Sequence, residues 1–209
     1  MNKYEKVAHR RAGKTLCVTD TFGNPLKNTK LQLKQVKHAF LFGCGAFDIN
    51  SYFETEDADK KAMYQERMDL WFDLFNYGTL PFYWGGYEPV EGEPHWQSRM
   101  AAAKLMKEKG VQVKGHPLCW HTGCVSWLME YDNATILDKQ LKRIERDVTQ
   151  FKGTIDMWDV INEVVIMPDY DRYDNAITRI CKEHGRVSLI KKVFEEAKAA
   201  NPDSTLLLN

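Results

Sequence analysis

With 209 residues, 44% of them hydrophobic and 28% charged, the chain has room for one large or two small domains and the composition of a soluble globular protein. Lys+Arg and Asp+Glu both number 29, so no net field favours nucleic acid or an anionic membrane as a partner. No apolar run is long enough to span a bilayer, and Met1-Asn2-Lys3-Tyr4-Glu5-Lys6 lacks the apolar core of a signal peptide, which either does not exist or was removed.

Residues 14 to 36 read as a small antiparallel β-unit, with Leu16, Val18, Leu31 and Leu33 alternating with polar residues around the turn Asp20-Thr21-Phe22-Gly23-Asn24-Pro25. Ala39 to Phe47 is a continuous apolar run, expected as a strand covered on both faces, with glycines that suit close packing. A helix over 56–76 opens on Glu56, Asp57 and Asp59, which suit its positive end, and presents Tyr64, Met68, Trp71, Phe72 and Phe75 on one face. The short strand Thr79-Leu80-Pro81-Phe82-Tyr83-Trp84 leads into a Gly- and Pro-rich loop over 85–94. A helix over 96–109 stops at Gly110. Strand Val111 to Gly115 runs into His116-Pro117-Leu118-Cys119-Trp120-His121.

Leu137, Leu141, Ile144, Val148 and Phe151 step by three and four along a further helix ended by Gly153. Ile155 to Glu163 is an apolar strand that finishes in an amide and a carboxylic acid, followed by a polar loop over 167–174. Helices over 175–184 and 187–200 are split at Gly185, and Thr205-Leu206-Leu207-Leu208-Asn209 reads as one more buried strand.

Strand alternating with helix argues for a parallel sheet of βα units. No Gly-rich phosphate loop follows any strand, which counts against a doubly wound nucleotide-binding sheet. Polar and aromatic residues gather after successive strands instead, at 84, 116–121 and 162–163, as at the mouth of a (β/α)8 TIM barrel. A closed barrel takes about 250 residues, so five strands are expected to be about its first half. The reading is a β-unit over 1–38 packed on a partial barrel over 39–209. Open strand edges would be sticky, so a complementary segment or a larger assembly is expected.

Three groups could carry chemistry. A carboxyl at a strand end, Glu163, suits a general acid whose burial keeps it protonated, or else a helix cap or an arginine partner. His116, Trp120 and His121 suit a carbohydrate floor, where rings stack and imidazoles bond hydroxyls; core packing is the plain alternative. His116, Cys119, His121 and Cys124 form H-x-x-C-x-H-x-x-C, without the paired spacing of a structural zinc site, and no metal or cofactor is expected. Asp159, inside the apolar strand, needs a partner, for which a histidine such as His121 is expected. The five cysteines, odd in number and scattered, read as buried or half-buried free thiols.

With these residues in place, a resemblance is clear. Trp158-Asp159-Val160-Ile161-Asn162-Glu163 resembles the W-D-V-V-N-E signature of the family 10 glycoside hydrolases, the retaining endo-β-1,4-xylanases. Val113-Lys114-Gly115-His116-Pro117-Leu118-Cys119-Trp120-His121 is similar to that family's V-R-G-H-T-L-V-W-H segment. Glu88-Pro89 with Gly92 resembles its E-P-x-x-G loop, and Phe42-Gly43 its first strand.

The resemblance implies a barrel hydrolysing xylan or a related β-1,4-glycan with retention. Glu163 would be the acid/base and Asn162 would bind the 2-hydroxyl at the cleavage point. His116 and Trp120 would contact that sugar, with His121 as support. It favours a secreted or periplasmic setting.

Two departures follow. The family's nucleophilic Glu lies on a seventh strand that this chain lacks, so the 209 residues alone are expected to be inactive. Its second strand reads T-P-E-N-x-M-K-W, whereas here the Asn and Lys are absent and Tyr83 and Trp84 are expected to stack on the substrate. A non-catalytic carbohydrate-binding barrel is the alternative, as is a β-glycanase with another preference.

Overall fold

The computed structural model describes residues 8, 11–36, 38–167 and 174–209. It divides into two compact units, Met1–Ala39 and Phe40–Asn209. In the first, the expected β-unit reduces to one antiparallel bridge, Thr19 with Pro25. The bridge closes a turn in which the Asp20 carboxylate accepts the backbone N–H groups of Phe22 and Asn24 at 2.9 Å each. Leu16, Leu31 and Leu33 are exposed. Two short alternating segments without a third strand or a helix to cover one face do not sustain a ladder.

The second unit holds one parallel sheet whose five strands lie in chain order: β1 (Gly43–Gly45), β2 (Tyr77–Pro81), β3 (Gln112–His116), β4 (Met157–Ile161) and β5 (Thr205–Leu208). Helices α1 (Phe47–Glu54) and α2 (Ala58–Leu74) connect the first pair. Helices α3 (Trp84–Tyr87) and α4 (Trp96–Glu108) connect the second, α5 (Asn133–Phe151) the third, and α6 (Ala176–His184) and α7 (Arg186–Ala200) the fourth. A doubly wound sheet reverses its strand order at a switch point, whereas this order never reverses.

Caps fix where the helices begin. The Asp57 carboxylate accepts the N–H groups of Asp59 and Lys60 at 3.0 Å each, Asp132 accepts that of Thr135 at 2.7 Å, and Asn175 forms a capping box with Thr178. The core lies between sheet and helices. Phe82 packs against Phe151 and Trp158 with ring centroids 5.1 and 4.9 Å apart. A Cβ at Gly115 would lie 2.1 Å from the Trp158 ring, so this strand position accepts only hydrogen.

Three boundaries differ from expectation. β1 is three residues long and exposed rather than covered on both faces, because it is an edge strand of the described sheet and two of its residues are glycines. Its entry is held by Asn76, whose Oδ1 accepts from the Phe42 N–H at 2.7 Å and whose Nδ2 donates to the Phe40 carbonyl at 2.9 Å. Phe47 opens α1 rather than closing a strand, and buried Ile49 anchors that helix. Trp84–Tyr87 is a helical turn at the junction of the expected strand and loop. The expected loop over 167–174 falls mostly on 168–173, outside the described residues.

Candidate active site

Side chains alternate across a strand, and β2, β3 and β4 therefore present two different faces. Gly78, Leu80, Val113, Gly115 and Trp158 point toward the helices and are buried. Tyr77, Thr79, Lys114, His116 and Asp159 occupy the inner face, where all but Asp159 are half-buried. At the carboxyl ends of these strands the chain delivers Tyr83, Trp120 and Glu163.

Three of the expected site residues form a wall of rings. Tyr83 lies 5.6 Å from His116 and 5.5 Å from Trp120, centroid to centroid. The Trp120 indole N–H donates to Glu163 Oε2 at 2.9 Å, which brings the acid to the wall. Burial, with the Asp159 and Glu163 charges adding, pushes the Tyr83 hydroxyl above its usual 10.0. Glu163 itself is exposed, not buried as a protonated strand-end acid was expected to be. The reason is local: its φ of 51° turns the chain out of the sheet before the side chain departs. A left-handed non-glycine residue stores about 1–3 kcal/mol, and such positions cluster at functional sites.

Asn162, 5% exposed, extends the β4 pairing through its N–H to the Cys119 carbonyl at 3.0 Å. His121 is fully buried. Burial holds its ring below the usual 6.5; the ring packs 6.2 Å from Trp120, and its carbonyl accepts from the Asn175 side chain at the start of α6. It braces Trp120 from behind.

Two expectations are corrected. Asp159 is held by His116 and Lys114, not by His121: its Oδ2 lies 2.6 Å from His116 Nδ1 and 2.6 Å from Lys114 Nζ. Lys114 and His116 share the inner face of β3 with Asp159, whereas His121 lies beyond the strand. Trp84 is the second. It is buried, donates its indole N–H to Glu88 Oε2 at 3.0 Å and lies under the Arg143 guanidinium at 4.7 Å. The helical turn at 84 rotates it away from Tyr83, so only Tyr83 reaches the wall.

Glu88 explains the E-P-x-x-G loop. Its carboxylate accepts from the Gly92 N–H at 3.0 Å and from both ends of the Arg146 guanidinium at 2.9 Å each. Gly92 has a φ of 83°, which only glycine adopts freely. Burial pushes the Glu88 carboxyl up, but the Arg146 bonds and charge and the Gly92 and Trp84 donors bring it below the usual carboxylate value. Next to it, fully buried Asp147 pairs with Arg143 and Arg146 and accepts from the Tyr87 hydroxyl at 3.1 Å. Arg143 in turn donates to the carbonyls of Leu118 (2.7 Å) and Phe82, the residues flanking the wall.

Beside Tyr83 a groove of about 750 Å³ runs between α1 and α4, lined by Phe47, Asn50, Phe53, Tyr83, Ser98 and Arg99 among others. Among the described residues no group of three or more His, Cys, Asp or Glu side chains is placed to hold a metal ion. None of the five cysteines is in a disulfide, and Cys17 and Cys44 are exposed rather than buried. Lys114 and Arg143 are the functional residues that sequence reasoning missed. Lys114 had a signal: a cation two residues before His116 in an apolar strand must share its face.

Five parallel strands in chain order, joined by four helical connections and followed by polar and aromatic groups at the strand ends, form part of a (β/α)8 barrel. The particular family follows from the sequence. The family model of Glycosyl hydrolase family 10 matches residues 48–209, and the chain belongs to that family. It is 25% identical over 127 residues to endo-1,4-beta-xylanase 3 of Hypocrea jecorina, covering 60% of this chain and 35% of that protein. It is 26% identical over 164 residues to endo-1,4-beta-xylanase B of Thermotoga neapolitana, covering 77% of this chain and 44% of the relative.

The solved structure of xylanase 10B from Thermotoga petrophila RKU-1 in complex with xylobiose superposes with a TM-score of 0.62 at 24% identity, over 79% of this chain and 49% of that one. The chain thus spans less than half the length of these relatives.

Proposed function

We propose that this chain carries the acid/base part of a retaining endo-β-1,4-xylanase site, acting on xylan or a closely related β-1,4-glycan. The carrying observation is the contact between the Trp120 indole N–H and Glu163 Oε2 at 2.9 Å, at the strand ends and beside the Tyr83–His116–Trp120 wall. The site therefore offers a carboxyl group oriented by a ring on which a pyranose can stack. In this reading Glu163 protonates the departing glycosidic oxygen and later deprotonates water. Asn162 holds the adjacent hydroxyl, and His116 and Trp120 position the sugar. Support for the substrate comes from the relatives, named as endo-1,4-beta-xylanases, and from the xylobiose in the neighbouring structure.

Retention needs a second carboxyl group about 5–5.5 Å away. We assign it to a barrel strand other than the five described. Tyr83 supplies a ring at the end of β2, which favours stacking over charged contacts to the neighbouring sugar.

The test is Glu163→Gln in the full-length protein. Hydrolysis of xylan is expected to fall by about 10²- to 10⁴-fold, while an aryl glycoside with a good leaving group, which needs no proton, loses much less in its first step. Unchanged xylan hydrolysis in that variant would sink the assignment. Residues 1–209 alone are expected to show no turnover; Glu163-dependent cleavage by them would remove the need for a nucleophile elsewhere.

A further inference from the structure

His116 faces a carboxylate and a cation at once. The Asp159 Oδ2 atom takes His116 Nδ1 at 2.6 Å and Lys114 Nζ at 2.6 Å. Asp159 is 1% exposed, and the Lys114 and His116 side chains are 15% and 13% exposed, so all three are shielded from competing water. Burial pushes the Asp159 carboxyl up, but the bonds from His116 and Lys114, with the lysine charge, bring it below its usual value. It is therefore an ionised group with acceptors only, and the Lys114 ammonium has donors only. The His116 atom facing Oδ2 must accordingly carry a proton.

A neutral imidazole has one N–H. With that proton at Nδ1, the opposite nitrogen, Nε2, carries a bare lone pair on the ring edge away from Asp159. Tyr83 packs against this ring at 5.6 Å, edge to face, and Trp120 at 6.5 Å, which fixes its plane. We propose that Asp159 is a positioning residue that, with Lys114 as its counter-ion, locks His116 in the Nδ1–H tautomer, so that Nε2 meets the substrate as a hydrogen-bond acceptor. A sugar hydroxyl then donates to His116 and keeps its own oxygen free for a second partner. That the hydroxyl belongs to a glycan rests on the proposed function; the tautomer does not.

The experiment reads the two separately. Long-range ¹H–¹⁵N correlation spectra of the full-length protein with labelled histidine, at a pH where the ring is neutral, report which nitrogen is protonated. His116→Asn assigns the signal among the six histidines of the chain. Expected is Nδ1–H in the parent protein. In Asp159→Ala no acceptor faces Nδ1, so the proton is expected to move largely to Nε2. A parent ring protonated on Nε2, or an Asp159→Ala ring that keeps Nδ1–H as fully as the parent, overturns the proposal.

On xylan, Asp159→Ala is expected to lower kcat/KM by about 10- to 100-fold, the size of loss met when a metal-binding histidine is deprived of its orienting carboxylate. Lys114→Met is expected to keep the tautomer and lose severalfold in kcat/KM, with Lys114→Arg restoring it. If the parent protein hydrolyses no glycan, the function fails while the tautomer result stands. If it does hydrolyse and the tautomer is wrong, only this inference falls.

Discussion

Two polar clusters flank the same strands, one inside the sheet and one outside it, and they differ in what they leave over. The outer cluster joins Glu88, Arg143, Arg146, Asp147 and Tyr87 between loop and helix, and its donors end on internal carboxylates and carbonyls. The inner cluster joins Lys114, His116 and Asp159 through a single carboxylate oxygen, beside an exposed acid and a wall of rings. The outer network is closed in the interior and fixes geometry, whereas the inner one stands at the cleft where a ligand can reach it. Arg143 ties the two together, because the carbonyls it holds belong to Phe82 and Leu118, neighbours of Tyr83 and close to Trp120.

The largest effect is expected at Arg143. Arg143→Met leaves Asp147 buried beside one remaining cation, and breaking a buried pair from one side costs about 3–5 kcal/mol. Urea unfolding of the full-length variant should show that loss, together with reduced glycan hydrolysis although Arg143 contacts no substrate. Full activity with full stability would show that the outer cluster does not set the strand ends. Gly115→Ala comes next: a methyl 2.1 Å from the Trp158 ring forces the strand or the indole to shift, for about 1–3 kcal/mol in the same measurement.

The two adjacent aromatics divide binding from stability. Tyr83→Ala should weaken oligosaccharide binding about tenfold, which is about 1.4 kcal/mol, with little change in melting. Trp84→Phe removes the donor to Glu88 and should cost about 1 kcal/mol of stability with binding intact; calorimetry on both variants separates them, and a binding loss in Trp84→Phe would place that ring in the cleft after all.

The smallest effect is acid sensitivity. Glu88 and Asp159 titrate below their usual values in the fold, so each adds stability above the unfolded value that disappears as pH falls through the folded one, below about 4. Asp147, pushed up by burial against the pull of Arg143 and Arg146, works in the opposite sense. Melting temperature should therefore decline from pH 5 to pH 3, less steeply in Asp159→Asn than in the parent.

Much of this was legible in residue order. The periodicity of Ile144, Val148 and Phe151, and the glycines at 110, 153 and 185, mark helices that the fold confirms nearly to the residue. Strand β4 was legible because its apolar run stands between clear breakers. The rest depends on which way a side chain turns. Tyr83 and Trp84 look equivalent in sequence, and a helical turn beginning at 84 sends one to the cleft and the other to Glu88. Asp159 could have met either histidine; only strand register selects His116. The exposure of Glu163 follows from one backbone angle that composition does not encode.

The alternation along β3 carries a consequence for how such a chain can change its length. Val113 and Gly115 face the helices while Lys114 and His116 face the cleft. Inserting or deleting a single residue within 112–116 would exchange those faces at once. It would drive the ammonium into the aromatic core and lift the apolar side chain out of it, so no point substitution could repair the damage. Gains and losses of residues are thus confined to the segments after the strands, where β2, β3 and β4 hand over to Tyr83, Trp120 and Glu163. Diversity in what is recognised can accumulate there one residue at a time, while the frame that aims His116 stays locked.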